Sequence, residues 1–325
     1  MNHSRSRAQA AGRAPESEGA LDLGLVVAAH GRHCLVESPD GQRRICHPRG
    51  KKSQSVVGDR VRWMPTGDEG SIEAVDPRRN LFYRQDELRT KSFAANLDQV
   101  LVLLAAEPEF SESQLTRALV AAEAENIATL IVLNKADLGA PFERAWQRLT
   151  PYRDMGAPVL PLCLKGGDGE ESGVDELLER LHGKTTLVLG PSGAGKSTLV
   201  NRLVPQARAL TGEISKALNS GKHTTTSTTW YWMDDARTTA LIDSPGFQEF
   251  GLNHIDAAQL AALMPDLRAH LGECRFYNCT HLHEPGCAVR AQVRTTDAQA
   301  VGSIAANRYR IYQELFAELS SKRTY

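Results

Sequence analysis

Eight consecutive residues, Gly190-Pro191-Ser192-Gly193-Ala194-Gly195-Lys196-Ser197, carry glycines, a lysine and a hydroxyl at the spacing of a phosphate-binding loop. Glycines allow the backbone to turn its amides inward around an anion, and a helix N-terminus behind them adds its dipole. Lys196 has the reach to meet terminal phosphates, and the Ser197 hydroxyl, followed by Thr198, is placed to face Mg²⁺. The run TTLVL before the loop and STLVNRLV after it supply the strand and helix that such a loop requires.

A second constellation selects the base. Asn134-Lys135-Ala136-Asp137 ends the apolar run ATLIVL, where an open α/β sheet places ligand contacts. A carboxylate there accepts hydrogen bonds from guanine N1–H and its exocyclic amine together. Adenine offers no such donor pair and would leave polar groups unpaired. In one sheet with a phosphate loop, this tetrapeptide implies GTP and GDP as ligands. Asp243-Ser244-Pro245-Gly246 follows TTALID, so Asp243 can hold Mg²⁺ through water and Gly246 can bring its amide to the γ-phosphate. Between these motifs, Gly221-Lys222-His223-Thr224-Thr225-Thr226 stands where a switch loop belongs, with Thr225 or Thr226 able to close over the cation.

The order is the unusual feature. The base-reading tetrapeptide precedes the phosphate loop, which precedes DSPG, so the motifs run in circularly permuted order. Permutation is tolerated where chain termini lie close together in space. The segment after DSPG then leads straight into the tail. There, Cys274, Cys279 and Cys287 cluster with His281 and His283. Closed four-ligand sets of cysteine and histidine are structural zinc sites without an open catalytic position.

These motifs need elements to hold them. From Leu21 to Arg84 short alternating segments are broken by turns, Pro39-Asp40-Gly41 among them, predicting a small β-barrel of the OB type. Between Gly41 and Arg62 seven basic residues, including Arg43, Arg44, Arg49, Lys51 and Lys52, face a single acid, Asp59, which suggests a footprint for RNA phosphates. After Ala95 strand-like and helical segments alternate, beginning with QVLVLLA and a helix capped by Ser111 with Gln114, as a doubly wound parallel sheet requires. The tail is helical, its last helix expected to carry Ile304, Tyr309, Tyr312, Leu315, Phe316 and Leu319 on one stripe. With 325 residues, 41% hydrophobic and 24% charged, the composition is that of a soluble globular chain. No apolar run reaches membrane length, and the first twenty residues lack a signal-peptide core, so a cytoplasmic location is expected.

In combination, Gly58-Asp59-Arg60-Val61, Ala95-Asn96-Leu97-Asp98-Gln99, NKAD, GPSGAGKS, GKHTTT, DSPGF and the cysteine knot resemble the RsgA (YjeQ/EngC) family of ribosome small-subunit-dependent GTPases. The resemblance implies an α/β chain in which an N-terminal OB-type barrel and a C-terminal helical zinc-binding domain flank a circularly permuted P-loop GTPase domain. Its expected units are a disordered arm over 1–20, the barrel over 21–86, the GTPase domain over 87–250 and the zinc domain over 251–325. It further implies His281 rather than His283 as the fourth ligand of one structural zinc, and His223 as the catalytic group. The implied partners are the 30S subunit, which stimulates hydrolysis late in its own maturation, and its 16S rRNA; the chain is expected to act as a monomer. The base-binding loop that usually reads Ser-Ala in this family reads Pro161-Leu162-Cys163-Leu164-Lys165 here. Phe247, standing where Ras-like enzymes place a glutamine, favours an alternative: an RNA-binding assembly chaperone with a passive guanine-nucleotide switch.

Overall fold

The structure, a computed structural model, describes residues 21–30, 33–50, 55–87, 89–164, 172–207, 210, 228–246, 249–294 and 304–321. The N-terminal arm expected over 1–20 lies outside them. The chain begins with β1 (Asp22–His30), β2 (His33–Glu37), β3 (Arg43–Pro48), β4 (Arg60–Thr66) and β5 (Glu69–Val75). Their order β1-β2-β3-β5-β4 closes because the first half of β1 pairs with β4 and the second half with β2. That closure, with β3 and β5 parallel, makes the expected barrel. Gly41, at φ 88°, turns the β2–β3 hairpin where Pro39-Asp40-Gly41 predicted it.

A hairpin of β6 (Leu81–Gln85) and β7 (Thr90–Ala95) follows, and the boundary expected at 86–87 falls inside it. This hairpin is the joint between barrel and sheet. Ala95 N–H donates to the Val57 carbonyl at 2.9 Å, and a Cβ on Gly58 would lie 2.2 Å from the Ala95 carbonyl oxygen. Asp59, fully buried, accepts two hydrogen bonds from Arg78 at 2.7 and 2.9 Å and one from the Val56 amide at 2.8 Å. Two of the segments that carry the family resemblance, Gly58-Asp59 and Ala95-Asn96, therefore meet as a structural seam.

The second half of the sheet comprises β8 (Gln99–Ala105), β9 (Ala128–Asn134), β10 (Val159–Leu162), β11 (Thr185–Leu189), β12 (Thr229–Trp232) and β13 (Ala240–Asp243). Strands β10, β9, β8, β11 and β13 run parallel in that order, and β12 pairs antiparallel to β13. Every residue of β8 is buried, as a strand covered on both faces must be. Helices α1 (Glu112–Ala124), α2 (Ala140–Arg148), α3 (Thr150–Asp154), α4 (Val174–Leu181) and α5 (Lys196–Leu203) cover the sheet. Ser111 caps α1 as its sequence predicted, its hydroxyl accepting from the Gln114 amide at 3.3 Å. At its far edge β12 pairs with β1 through Ala28 and Thr229, so one sheet of eleven strands runs from the GTPase half into the barrel.

The tail adds a 3₁₀ segment, Ala257–Leu263, capped by Asp256, a helical turn, Pro265–Arg268, and a last helix, α6 (Ala306–Ser321). Ile311, Tyr312, Leu315 and Leu319 of α6 share one apolar core with Leu115 and Ala118 of α1, Leu260 and Met264. Ile304 lies just before the helix, bridging to Val293. Arg308, 2% exposed, fastens this joint. Its guanidinium meets Asp266 in a fork at 2.8 and 2.9 Å, donates to the Thr116 hydroxyl at 2.8 Å, and lies over the Tyr152 ring. Replacing Arg308 with Met should cost about 3–5 kcal/mol, because Asp266 is left as an uncompensated, nearly buried charge. A urea midpoint equal to wild type would show that this fork does not hold the tail to α1.

Candidate functional site

The two motif-bearing loops emerge side by side because β8 lies between their strands. Parallel register sets Leu189 of β11 beside Val102 and Asn134 of β9 beside Ala105. A cavity of about 580 Å³ opens above these strand ends. Lys135 and Asp137 line it on one side, Ser192 through Thr198 with the exception of Ala194 on another, and Asp243, Ser244 and Gly246 on a third. A volume of this size is that of a small-molecule or cofactor site.

The phosphate loop is held from below and behind. A Cβ on Gly190 would lie 2.2 Å from the Leu103 carbonyl oxygen, so only glycine allows the loop to start against β8. Ala194 is fully buried, and its carbonyl accepts from the Asn134 side-chain amide at 3.0 Å. Gly195, at φ 102°, is the N-cap of α5, and Ser197 and Thr198 stand in the first turn. Pro191 completes the loop, its carbonyl and that of Gly190 accepting from Lys196 Nζ at 2.8 and 2.7 Å. Asn134 Oδ1 is buried and has no hydrogen-bond partner among the described residues, an acceptor beside the cavity. On the other side Lys135, at φ 70°, begins the short 3₁₀ turn Ala136–Leu138 that carries Asp137 outward.

Asp243, at the end of β13, is 8% exposed, and desolvation pushes its carboxyl up to about 6. The Lys196 ammonium and the Ser244 amide pull the other way and only partly offset the burial. Burial lowers Lys196 in turn, while Asp243 raises it. Gly246 stands so close to the lysine that a Cβ would lie 3.1 Å from Nζ and 3.4 Å from the Ser192 hydroxyl. A side chain there would fill the space that the loop amides and Lys196 surround. The hydroxyl of Ser197 and the carboxylate of Asp243 line one cavity and are hard oxygen donors, a donor set suited to Mg²⁺. His223, Thr225 and Thr226 lie outside the described residues.

Cys274, Cys279, His281 and Cys287 converge in the tail, their ligand atoms all within 4.8 Å of one another. His281 Nδ1 lies 3.5 Å from both Cys274 Sγ and Cys287 Sγ, and those two sulfurs are 3.9 Å apart. Tetrahedral zinc, with sulfur at ~2.3 Å and nitrogen at ~2.0 Å, separates its ligands by roughly 3.8 Å between sulfurs and roughly 3.5 Å between sulfur and nitrogen. The cluster is therefore compatible with a zinc site. The neighbouring loop is independently fixed: Glu284 accepts from the Thr280 amide and hydroxyl and the Leu282 and His283 amides. Desolvation would raise the Glu284 carboxyl, but these bonds override it and hold it well below the usual carboxylate range.

Asp59 is the only acid within the basic run of the barrel, but strand pairing brings acids from outside it across to its side chains. Arg43 meets Glu37 at 2.8 Å, Arg49 meets Glu73 at 2.5 Å, Arg62 meets Asp76 at 3.1 Å, and His47 meets Glu69 at 2.6 Å. Arg44 lies over the Trp63 ring. Arg60 has no acidic partner among the described residues, and Lys51 and Lys52 lie outside them. The sequence reading also missed the residues that hold the segment after DSPG. Arg84 of β6 and Arg117 of α1 donate to the Glu249 and Phe250 carbonyls, and Arg117 pairs with Glu318 of α6. Gln85 and Leu252 form a parallel bridge beside them. No local spacing signals these contacts.

Fold and site together define a GTPase whose motifs are circularly permuted. A family model described as RsgA GTPase matches residues 75–253. The small ribosomal subunit biogenesis GTPase RsgA of Variovorax paradoxus (strain S110) is 70% identical over 303 residues, covering 93% of this chain and 94% of that one. Its namesake from Burkholderia pseudomallei (strain K96243) is 52% identical over 299 residues, covering 91% and 92%. Among solved structures, YjeQ from Thermotoga maritima aligns with a TM-score of 0.68 at 30% identity, covering 93% of this chain and 100% of that one. YloQ, a circularly permuted GTPase, aligns with a TM-score of 0.66 at 25% identity, covering 95% and 98%. The chain belongs to the RsgA GTPase family and is a GTP-hydrolysing enzyme. Among the described residues, no helix is long and apolar enough to cross a membrane.

A carboxyl raised on folding takes up a proton as the chain folds, so Asp243 contributes stability at low pH that is lost as pH rises. The window runs from its ordinary 3.8 to about 6. The loss is on the order of 3 kcal/mol for a shift of this size. In chelator, without nucleotide, Asp243→Asn should therefore gain on wild type by that order between pH 4 and 7. A difference between the two urea curves that does not change with pH would contradict the desolvation of Asp243.

Proposed function

We propose that this enzyme hydrolyses GTP as a checkpoint in late maturation of the small ribosomal subunit, in keeping with the names of its relatives. The observation that carries the guanine reading is the Asn134 amide bonded to the Ala194 carbonyl, which ties the base-reading turn to the phosphate loop across one cavity. Asp137 accepts the two donors of guanine. The amides of Gly190–Ser197, Lys196 and the N-terminus of α5 surround the phosphates. Ser197 and Asp243, with Thr225 or Thr226, would hold Mg²⁺, which would supply neutralisation of the phosphate charge. His223 orients or deprotonates the attacking water. Gly246 brings its amide to the γ-phosphate without crowding Lys196.

In this reading the barrel over 21–86 and the tail over 251–325 contact the subunit and its 16S rRNA, and the GTPase unit over 87–250 acts between them as a cytoplasmic monomer. The ion-paired barrel arginines shift the weight of an RNA contact toward Arg44, Arg60, Lys51 and Lys52. Zinc in the Cys₃His cluster is structural, since four protein ligands leave no open position. One zinc per chain by elemental analysis is expected, with Cys287→Ser losing it. A chain that folds fully and carries no zinc would remove this assignment.

The deciding experiment is GTP hydrolysis by the purified chain with and without 30S subunits. Strong stimulation is expected in wild type. Asp137→Asn should transfer the preference from GTP to xanthosine triphosphate, and His223→Ala should lose the stimulated rate while keeping nucleotide affinity. No stimulation would remove the ribosomal role, and unchanged base preference in Asp137→Asn would remove the base reader. Turnover on 30S unaffected by His223→Ala would leave the passive switch as the better account.

A further inference from the structure

Asp137 reads the base in the proposal above, but its own surroundings do little to orient it. It stands exposed on a single 3₁₀ turn, after a residue at φ 70°. A carboxylate so placed samples several rotamers, and each orientation lost on binding guanine costs affinity. Among the described residues its carboxylate receives one hydrogen bond. The donor is the Cys163 thiol, 3.3 Å from Oδ1.

Cys163, unlike the aspartate, is fixed by its backbone. It is 3% exposed and follows β10, where Leu162 stands beside Asn134 of the base-reading strand. Its amide donates to the Ser172 carbonyl at 3.0 Å, and the Ser172 amide returns a bond at 3.2 Å. Just beyond, Gly173 lies so close that a Cβ would come within 2.3 Å of the Pro161 carbonyl oxygen. Cys163 and Ser172 are thus bridged, and the thiol is held from behind while the carboxylate lies within reach of it. The orienting influence runs from the cysteine to the aspartate.

We infer that Cys163 is the positioning residue of the base-reading carboxylate, and that its thiol sets a deliberately loose grip on guanine. This rests on the reading of Asp137 as base reader. A thiol is a weak donor, and a hydroxyl bonded to a carboxylate forms a shorter and stronger bond. The exposed carboxylate is free to follow a shorter side chain inward. A serine here would hold Asp137 more firmly, and an alanine would release it. The natural thiol lies between, favouring release of GDP from a site with strong phosphate contacts.

The test compares wild type, Cys163→Ser and Cys163→Ala in the full chain with Mg²⁺. It measures affinity and release rate for GDP and for inosine diphosphate, which lacks the exocyclic amine. Alanine should weaken GDP by roughly three- to fivefold, less than the tenfold scale of a full hydrogen bond to a charged group because the thiol is a weak donor, and should narrow the preference for GDP over inosine diphosphate. Serine should bind GDP more tightly than wild type, chiefly through slower release, and keep the preference. Alanine behaving as wild type, or both variants weakening GDP with the preference unchanged, would reduce Cys163 to a packing residue. A serine variant that releases GDP faster than wild type would overturn the loose grip even if alanine weakens binding. Asp137→Asn run alongside separates the two levels: if its base preference does not change, the reading beneath this inference fails first.

Discussion

The nucleotide site depends on the register of β8. This strand, buried along its whole length, lies between β9 and β11, and parallel pairing on both sides fixes how far each neighbour extends before it turns. A parallel ladder admits one alignment when both faces are covered, because a slip of one residue would exchange its buried faces. The phosphate loop therefore begins against the Leu103 carbonyl, and the base-reading turn begins three residues further along. The bond from Asn134 to Ala194 locks these two heights together. Chain order does not enter this geometry, which is why permuted motifs can build an ordinary site.

Permutation changes instead what each end of the site is attached to. The chain enters β12 directly after the threonine-rich segment, and β12 is the strand that pairs with the barrel. Near that pairing Glu37 of the barrel accepts from Trp232 of β12 at 2.7 Å, in addition to Arg43. The segment after DSPG runs beside β6 and is gripped by Arg84 and Arg117, the second of which also pairs with α6. β12 and the segment after DSPG are thus each tied to a different flanking unit. The tail is also fused to the sheet domain through a common apolar core and the Arg308 fork. Any change in its position with nucleotide state has to work through that joint or bend at the Cys/His loop.

Much of the site was legible because its chemistry is local. Gly190–Ser197, Asn134–Asp137 and Asp243–Gly246 are short loops at strand ends, and their residue types and spacing carry the information. The Ser111 cap and the Gly41 turn were legible for the same reason. His281 and His283 were not distinguishable by spacing alone; in the fold Nδ1 of His281 lies among the sulfurs, while His283 is exposed. What was illegible depends on strand pairing. The acids opposite the barrel's basic side chains are Glu37, Glu69, Glu73 and Asp76, all outside the basic run between Gly41 and Arg62. The contact between Cys163 and Asp137 spans two strands, and the Arg117 bridge to Glu318 spans most of the chain. Neither leaves a periodic or compositional trace.

The pairing of β1 with β12 has a further consequence, for solubility. β12 is four residues long and carries Thr229, Trp230, Tyr231 and Trp232, a composition with strong β-propensity and no charge. It would be the outer strand of the GTPase sheet if the barrel were absent, offering unpaired backbone groups to any other chain. The barrel is thus also an edge guard. Through the Ala28–Thr229 pair its first strand blocks one end of an adhesive border that newly made chains would otherwise present to one another. A GTPase unit separated from its barrel would be prone to self-association before any question of catalysis arose.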